Sequence, residues 1–280
     1  MSVVAASPHT NETAGARRIR DAFAAARADG RAALIPYVVA GYPDADTGFT
    51  IACAAIDAGA DLLEVGLPYS DPLADGATLQ RASQAALRAG ISFEGSLSLV
   101  GRISAARPGV PLVAMGYANQ LMGGGDGRDR AMALGRAGAA GVIVADLTPD
   151  EGLPFEVAAV EAGIAVVYLV APTTEPTRRA AVAARSGGFL YCVSLVGVTG
   201  ARTSLPASVG PLVADVKAVS PVPVAVGFGV SKPAHAQAIA RAGADGVIVA
   251  SALVDALGPD GTDVARMGAL VASLREGTRR

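Results

Sequence analysis

A chain of 280 residues that is 51% apolar, has no tryptophan and carries a formal net charge of −2 can build one large core, but it offers no broad positive field to a polyanion, so nucleic acid is not an expected partner. No apolar run reaches the ~18 residues needed to span a bilayer, and the first residues lack the basic and apolar regions of a secretion signal, so a cytoplasmic protein without membrane contact is expected. Cys53 and Cys192 stand far apart within apolar runs, where buried thiols are expected rather than a disulfide or metal site.

Residues 1–15 mix Ser, Pro, His, Thr and Asn without periodicity and read as a disordered tail, leaving 16–280 as one domain that opens with a helix at about 16–29. Short β-type runs then begin near Ala33, Asp61, Pro111, Gly141, Ile164, Phe189, Pro223 and Gly246, which predicts eight strands. Ala-rich segments with helical spacing lie between most of them, such as Asp46 to Ala58, Thr78 to Ala89 and Pro233 to Ala242. Several strands follow a common lead-in, as in Ala58-Gly59-Ala60-Asp61 and Ala242-Gly243-Ala244-Asp245, where glycine can end a helix in a left-handed conformation. Eight repeated strand–helix units predict an α/β fold, a single (β/α)8 TIM barrel.

In such barrels the chemistry sits at the C-terminal ends of the strands, which screens the candidates. The second strand carries Glu64 between Leu63 and Val65, a dry position in which desolvation raises a carboxyl's pKa and suits it to both donate and accept a proton. A structural glutamate held by hydrogen bonds is an equal reading from position alone. The segment that follows runs to Gly76 through Pro68 and Pro72, and it can present Asp71 and Asp75 over the barrel mouth.

Glu64 through Gly76, followed by Thr78 and Gln80, resembles the signature of the tryptophan synthase alpha subunit family. Pro36-Tyr37 to Gly41, Tyr117-Ala118-Asn119, Ala145-Asp146, Gly197 to Arg202 and Gly227-Phe228-Gly229 match it as well, over about residues 16 to 275. The resemblance implies a carbon–carbon lyase that splits indole-3-glycerol phosphate into indole and glyceraldehyde 3-phosphate. It implies Glu64 as the acid/base at indole C3 and the side-chain hydroxyl, and Asp75 as the acceptor for the ring N–H. By family position Tyr191, Phe228, Met115, Ala145, Leu169, Thr199 and Ile248 surround the substrate. Gly200, Gly229, Ala250 and Ser251 hold the phosphate, a role that also suits small residues clustered after the sixth, seventh and eighth strands.

No cofactor or metal is implied, and the partner is a beta subunit in an αββα assembly. A stand-alone lyase of a specialised pathway and a non-catalytic regulatory subunit are the alternatives; the two acids argue against the second. Schiff-base chemistry lacks its residue, because the only lysines are Lys217, in an expected helix, and Lys232, beyond the seventh strand. His9 falls in the tail and His235 in a helix, where a solvated ring is expected rather than a ligand. The chain departs from the family pattern at Ala250, where glycine is usual, at Thr148, where a proline is expected, and at Gln120 before the Gly123-Gly124-Gly125 run.

Overall fold

The computed structural model describes residues 12–123, 125–193, 209–227 and 229–280. Among the described residues there are nine strand segments: β1 (Ala33–Val39), β2 (Leu63–Gly66), β3 (Leu112–Gly116), β4 (Ala139–Val144), β5 (Ala165–Val167), β6 (Leu169–Val170), β7 (Leu190–Val193), β8 (Val224–Gly227) and β9 (Gly246–Val249). They pair in parallel in the order β5-β4-β3-β2-β1-β9-β8-β7-β6. Only Tyr168 separates β5 from β6, so one crossing of the chain pairs with β4 on one side and β7 on the other and returns the sheet on itself. Eight crossings thus give nine segments: the Tyr168 N–H leaves the ladder to donate to Ser186 Oγ at 3.0 Å, which splits the run that reads as one strand in the sequence.

The helices between strands end as the glycine lead-ins predict, with φ from 74° at Gly163 to 110° at Gly59. Period-two alternation then sorts the strand residues between two packing layers. Leu34, Leu63, Val65, Val142 and Val247 face out to the helices, whereas Ile35, Leu62, Val113, Ile143, Val167, Tyr191 and Ile248 fill the barrel.

The first helix begins at Ala14, two residues ahead of its predicted start, because the Thr13 side chain accepts the Ala16 N–H as an N-cap. Ile19, Phe23 and Ala26, spaced for one helical face, are buried in the same cluster as the barrel interior. Gly15 allows the approach, since a Cβ there would lie 1.9 Å from Ala140 O. This helix therefore closes the end of the barrel where the strands begin. Ion pairs lie at that end as well, with the exposed Arg27 and half-buried Lys217 on buried Asp245 at 2.8 Å and buried Arg31 on Asp61. Cys53 and Cys192 are both buried and free.

Candidate active site

At the opposite end, the inward positions of β1 and β2 place Tyr37 beside Glu64 in register. Glu64 is 0% exposed, and neither of its carboxylate oxygens has a hydrogen-bond partner among the described residues. Burial, and then the charge of Asp75, push its pKa up to about 8. Two glycines make room for the phenols around it. A Cβ on Gly66 would lie 1.8 Å from the Tyr37 hydroxyl, and one on Gly227 would lie 2.3 Å from the Tyr191 hydroxyl. Tyr37 and Tyr191 are each raised well above the usual tyrosine range by burial first, then by the charges of Asp75 and Glu64.

Asp75 reaches this cluster from the loop that links β2 to the helix Ala77–Arg88. Its N–H donates to Pro72 O at 3.0 Å, and Gln80 Nε2 donates to its carbonyl at 2.9 Å. Tyr117 hydrogen-bonds its carboxylate while accepting the Ala74 N–H at 3.1 Å. Burial raises the Asp75 carboxyl to about 6, against the opposing pull of the Tyr117 bond. Asp71, the other acid expected over the mouth, is turned to solvent, where Ser70 Oγ donates to it at 2.5 Å. It therefore takes no part in the pocket.

Asp75 and Tyr191 line one cavity of ≈ 70 Å³ together with Met115, Leu169 and Ile248 from the barrel interior and Gly229, Ala250 and Ser251 from the ends of β8 and β9. Eight of the residues singled out from sequence thus meet at one place. Ala145, just beyond β4, is not among the residues that line it; its N–H donates to Gly116 O at 2.9 Å. Phe228, Thr199 and Gly200 lie outside the described residues. Larger clefts of ≈ 320 and ≈ 540 Å³ sit at the other end, beside the first helix and the ion pairs, away from the ends of the strands where barrels carry their chemistry.

Three residues to which the sequence reading assigned no place in the site belong here. Tyr37 lines the cavity, and its inward parity on β1, in register with Glu64, was the signal available. Tyr117 follows β3 directly and was visible as a strand-end tyrosine, but its bond to Asp75 depends on how the loop folds back. His235 is buried rather than solvated. Its Nδ1 lies 3.1 Å from Gly229 O and 3.3 Å from Ser231 N, so the ring pins the turn that carries Gly229. The helical period of Pro233–Arg241 puts His235 on the same face as Ile239, a clue that it points inward.

Two carboxyls are held in opposite states near neutrality: Glu64, fully buried and not itself among the residues that line the cavity, keeps its proton at about 8, and Asp75, on the lining, is ionised at about 6. Together with an apolar slot, this equips the site to protonate a bound apolar ring at one edge while holding an anion at another.

A family model described as tryptophan synthase alpha chain matches residues 23–277. The chain is 43% identical over 260 residues to the tryptophan synthase alpha chain of Roseiflexus castenholzii, covering 92% of this chain and 99% of that one. It is 44% identical over 240 residues to that of Chloroflexus aurantiacus, covering 86% and 90%. Among solved structures, tryptophan synthase from Mycobacterium tuberculosis superposes with a TM-score of 0.86 at 43% identity, covering 94% of this chain and 98% of that one. The alpha subunit from Legionella pneumophila does so at 0.84 and 31% identity, covering 93% and 98%.

Proposed function

Because the chain belongs to the tryptophan synthase alpha chain family, we propose that Glu64 and Asp75 are the groups with which it performs the family's alpha reaction. That reaction is the cleavage of indole-3-glycerol phosphate to indole and glyceraldehyde 3-phosphate in tryptophan biosynthesis. The observation that carries the assignment is the pair itself: two carboxyls, one buried at the barrel wall and one on a loop, whose environments hold them near 8 and 6.

Protonated Glu64 gives its proton to indole C3, and the positive charge that reaches the ring nitrogen is balanced by ionised Asp75, which accepts the ring N–H. The Glu64 carboxylate then takes the proton of the side-chain hydroxyl. As the O–H electrons form the aldehyde C=O, the bond from C3 to the glycerol chain breaks, and its electrons restore the neutral indole. Glu64 ends protonated, as it began.

The ring is placed between Met115, Leu169 and Ile248 with Tyr191 beside it, and Ala145, Phe228 and Thr199 are assigned to its surroundings by family position alone. The phosphate is placed on the backbone N–H groups of Gly200, Gly229, Ala250 and Ser251. The positive φ of Gly229, 75°, supports this, because it is a left-handed conformation that side-chain-bearing residues rarely adopt. The methyl of Ala250 leaves its N–H available. The family works with a beta subunit. We assign this chain the αββα assembly, docked by its barrel mouth, where Leu73 stands 94% exposed beside Asp75. A cytoplasmic site of action agrees with two free buried thiols; no helix among the described residues is long and apolar enough to cross a membrane.

Indole release from indole-3-glycerol phosphate by Glu64→Gln and Asp75→Asn tests the assignment. Both variants are expected to lose at least ~100-fold in kcat/KM while remaining folded, and near wild-type turnover by either would remove that residue from the mechanism.

A further inference from the structure

The loop that carries Asp75 is fastened from the segment that follows β3. Gln120 Nε2 donates to Pro68 O at 3.0 Å, and Asn119 Nδ2 donates to Tyr69 Oη at 2.9 Å. The Tyr117 ring stacks on that of Tyr69 at 5.1 Å, and its hydroxyl accepts the Ala74 N–H at 3.1 Å. These contacts reach the loop on both sides of its exposed tip, Leu73.

The fastening segment is itself held. Asp146 Oδ1 accepts the Ala118 N–H at 2.7 Å, and the Gln120 and Leu121 N–H groups donate to Tyr117 O at 3.0 and 2.9 Å. Gln120 is inserted into the structure rather than laid on it. Its Oε1 is buried without a hydrogen-bond partner among the described residues and lies 2.8 Å from where a Cβ on Gly116 would stand, so that glycine there lets it sit in place without a shift. A side chain that buries an unpartnered oxygen destabilises the fold, and what it makes in return is the bond to the loop at Pro68.

We propose that Tyr117, Asn119 and Gln120 form a clasp that fixes Asp75 over the barrel mouth from within the chain, with Gln120 as a positioning residue for the reaction. This rests on Asp75 being the group that faces the indole nitrogen. Gln120→Leu keeps the volume, removes the donor and also removes the unpartnered oxygen, so the variant is expected to fold. Tyr117→Phe is the second probe and breaks the clasp at its other end.

Hydrogen exchange at the Ala74 amide and steady-state cleavage are measured for both variants. Exchange is expected to quicken and kcat to fall, each about 2- to 10-fold, the worth of one neutral hydrogen bond, with KM within about twofold. In Tyr117→Phe the acidic limb of the pH profile is also expected to rise, because the bond that lowers the Asp75 pKa is gone; a merely structural tyrosine would not move it. Wild-type exchange in both variants overturns the clasp. Faster exchange with unchanged kcat and an unmoved acidic limb, in a protein that Asp75→Asn inactivates, overturns the positioning role. A fully active Asp75→Asn instead overturns the reading of Asp75 and with it that role, while the exchange rates still judge the clasp.

Discussion

Replacing Glu64 with glutamine separates what this carboxyl does for the chemistry from what it costs the fold. Its pKa stands at about 8 in the folded chain against an ordinary 4.5, so the folded state holds the proton more tightly than the unfolded one. The penalty is absent below pH 4.5, grows as pH rises toward 8 and is complete above that. At ~1.4 kcal/mol per pH unit it amounts to about 3 kcal/mol at pH 7 and approaches ~5 kcal/mol at the plateau. Glutamine does not titrate, but it brings amide protons into a site with no partner ready for them, at a pH-independent cost of ~1–3 kcal/mol. The variant is therefore expected to be less stable than wild type near pH 5 and more stable near pH 8, a relative swing of roughly 3 to 4 kcal/mol. For a chain of this size that corresponds to ~7 °C in the difference between the two melting temperatures. Calorimetric melts of both proteins from pH 5 to pH 8 measure it. A difference in Tm that stays constant across that range would refute the buried, proton-holding carboxyl on which the mechanism depends.

Other expectations follow from the same geometry. The kcat/KM profile should rise through a pH of about 6 as Asp75 ionises and fall through about 8 as Glu64 loses its proton; a flat profile from pH 5 to pH 9 would contradict both roles. In Asp75→Asn the residual basic limb should move below 8, because the charge of Asp75 is the second cause of the Glu64 shift, and a limb that stays in place would uncouple the pair. Gly66→Ala should cost ~1–3 kcal/mol and lower kcat, since its methyl would stand 1.8 Å from the Tyr37 hydroxyl; wild-type stability and rate would show that this contact constrains nothing. Gly229→Val should raise KM about tenfold or more and abolish competition by inorganic phosphate, because it places a β-branched residue at a φ of 75° on the cavity wall. An unchanged KM would move the phosphate elsewhere.

What could be read from the sequence follows strand parity. Met115, Leu169, Tyr191 and Ile248 each sit near the end of an apolar run, and a period of two is enough to send them inward together; the same parity puts Glu64 in register with inward Tyr37 and Val113. The strands themselves declared their positions through β-type runs and glycine lead-ins. What stayed hidden depends on contacts between distant segments. Tyr168 interrupts its strand because a serine 18 residues away takes its amide proton. The Asp75 loop is shaped by Tyr117, 43 residues on from the Ala74 it binds. His235 is buried by the turn it pins. In the loop, proline and aspartate spacing showed that a carboxylate could reach the pocket, but not that Asp75 would do so and Asp71 would not.

The helix Ala14–Ala28 makes the barrel a blind tube. With Ile19 and Phe23 buried in the interior cluster, the passage to the ring site that the described residues leave is the end beneath the Asp75 loop. A tube with one opening imposes a queue. If the phosphate rests at the rim on Ala250 and Ser251 while the ring lies deeper against Met115 and Leu169, the phosphorylated fragment has to leave first. The indole then follows it out through the same gate, into whatever is docked there.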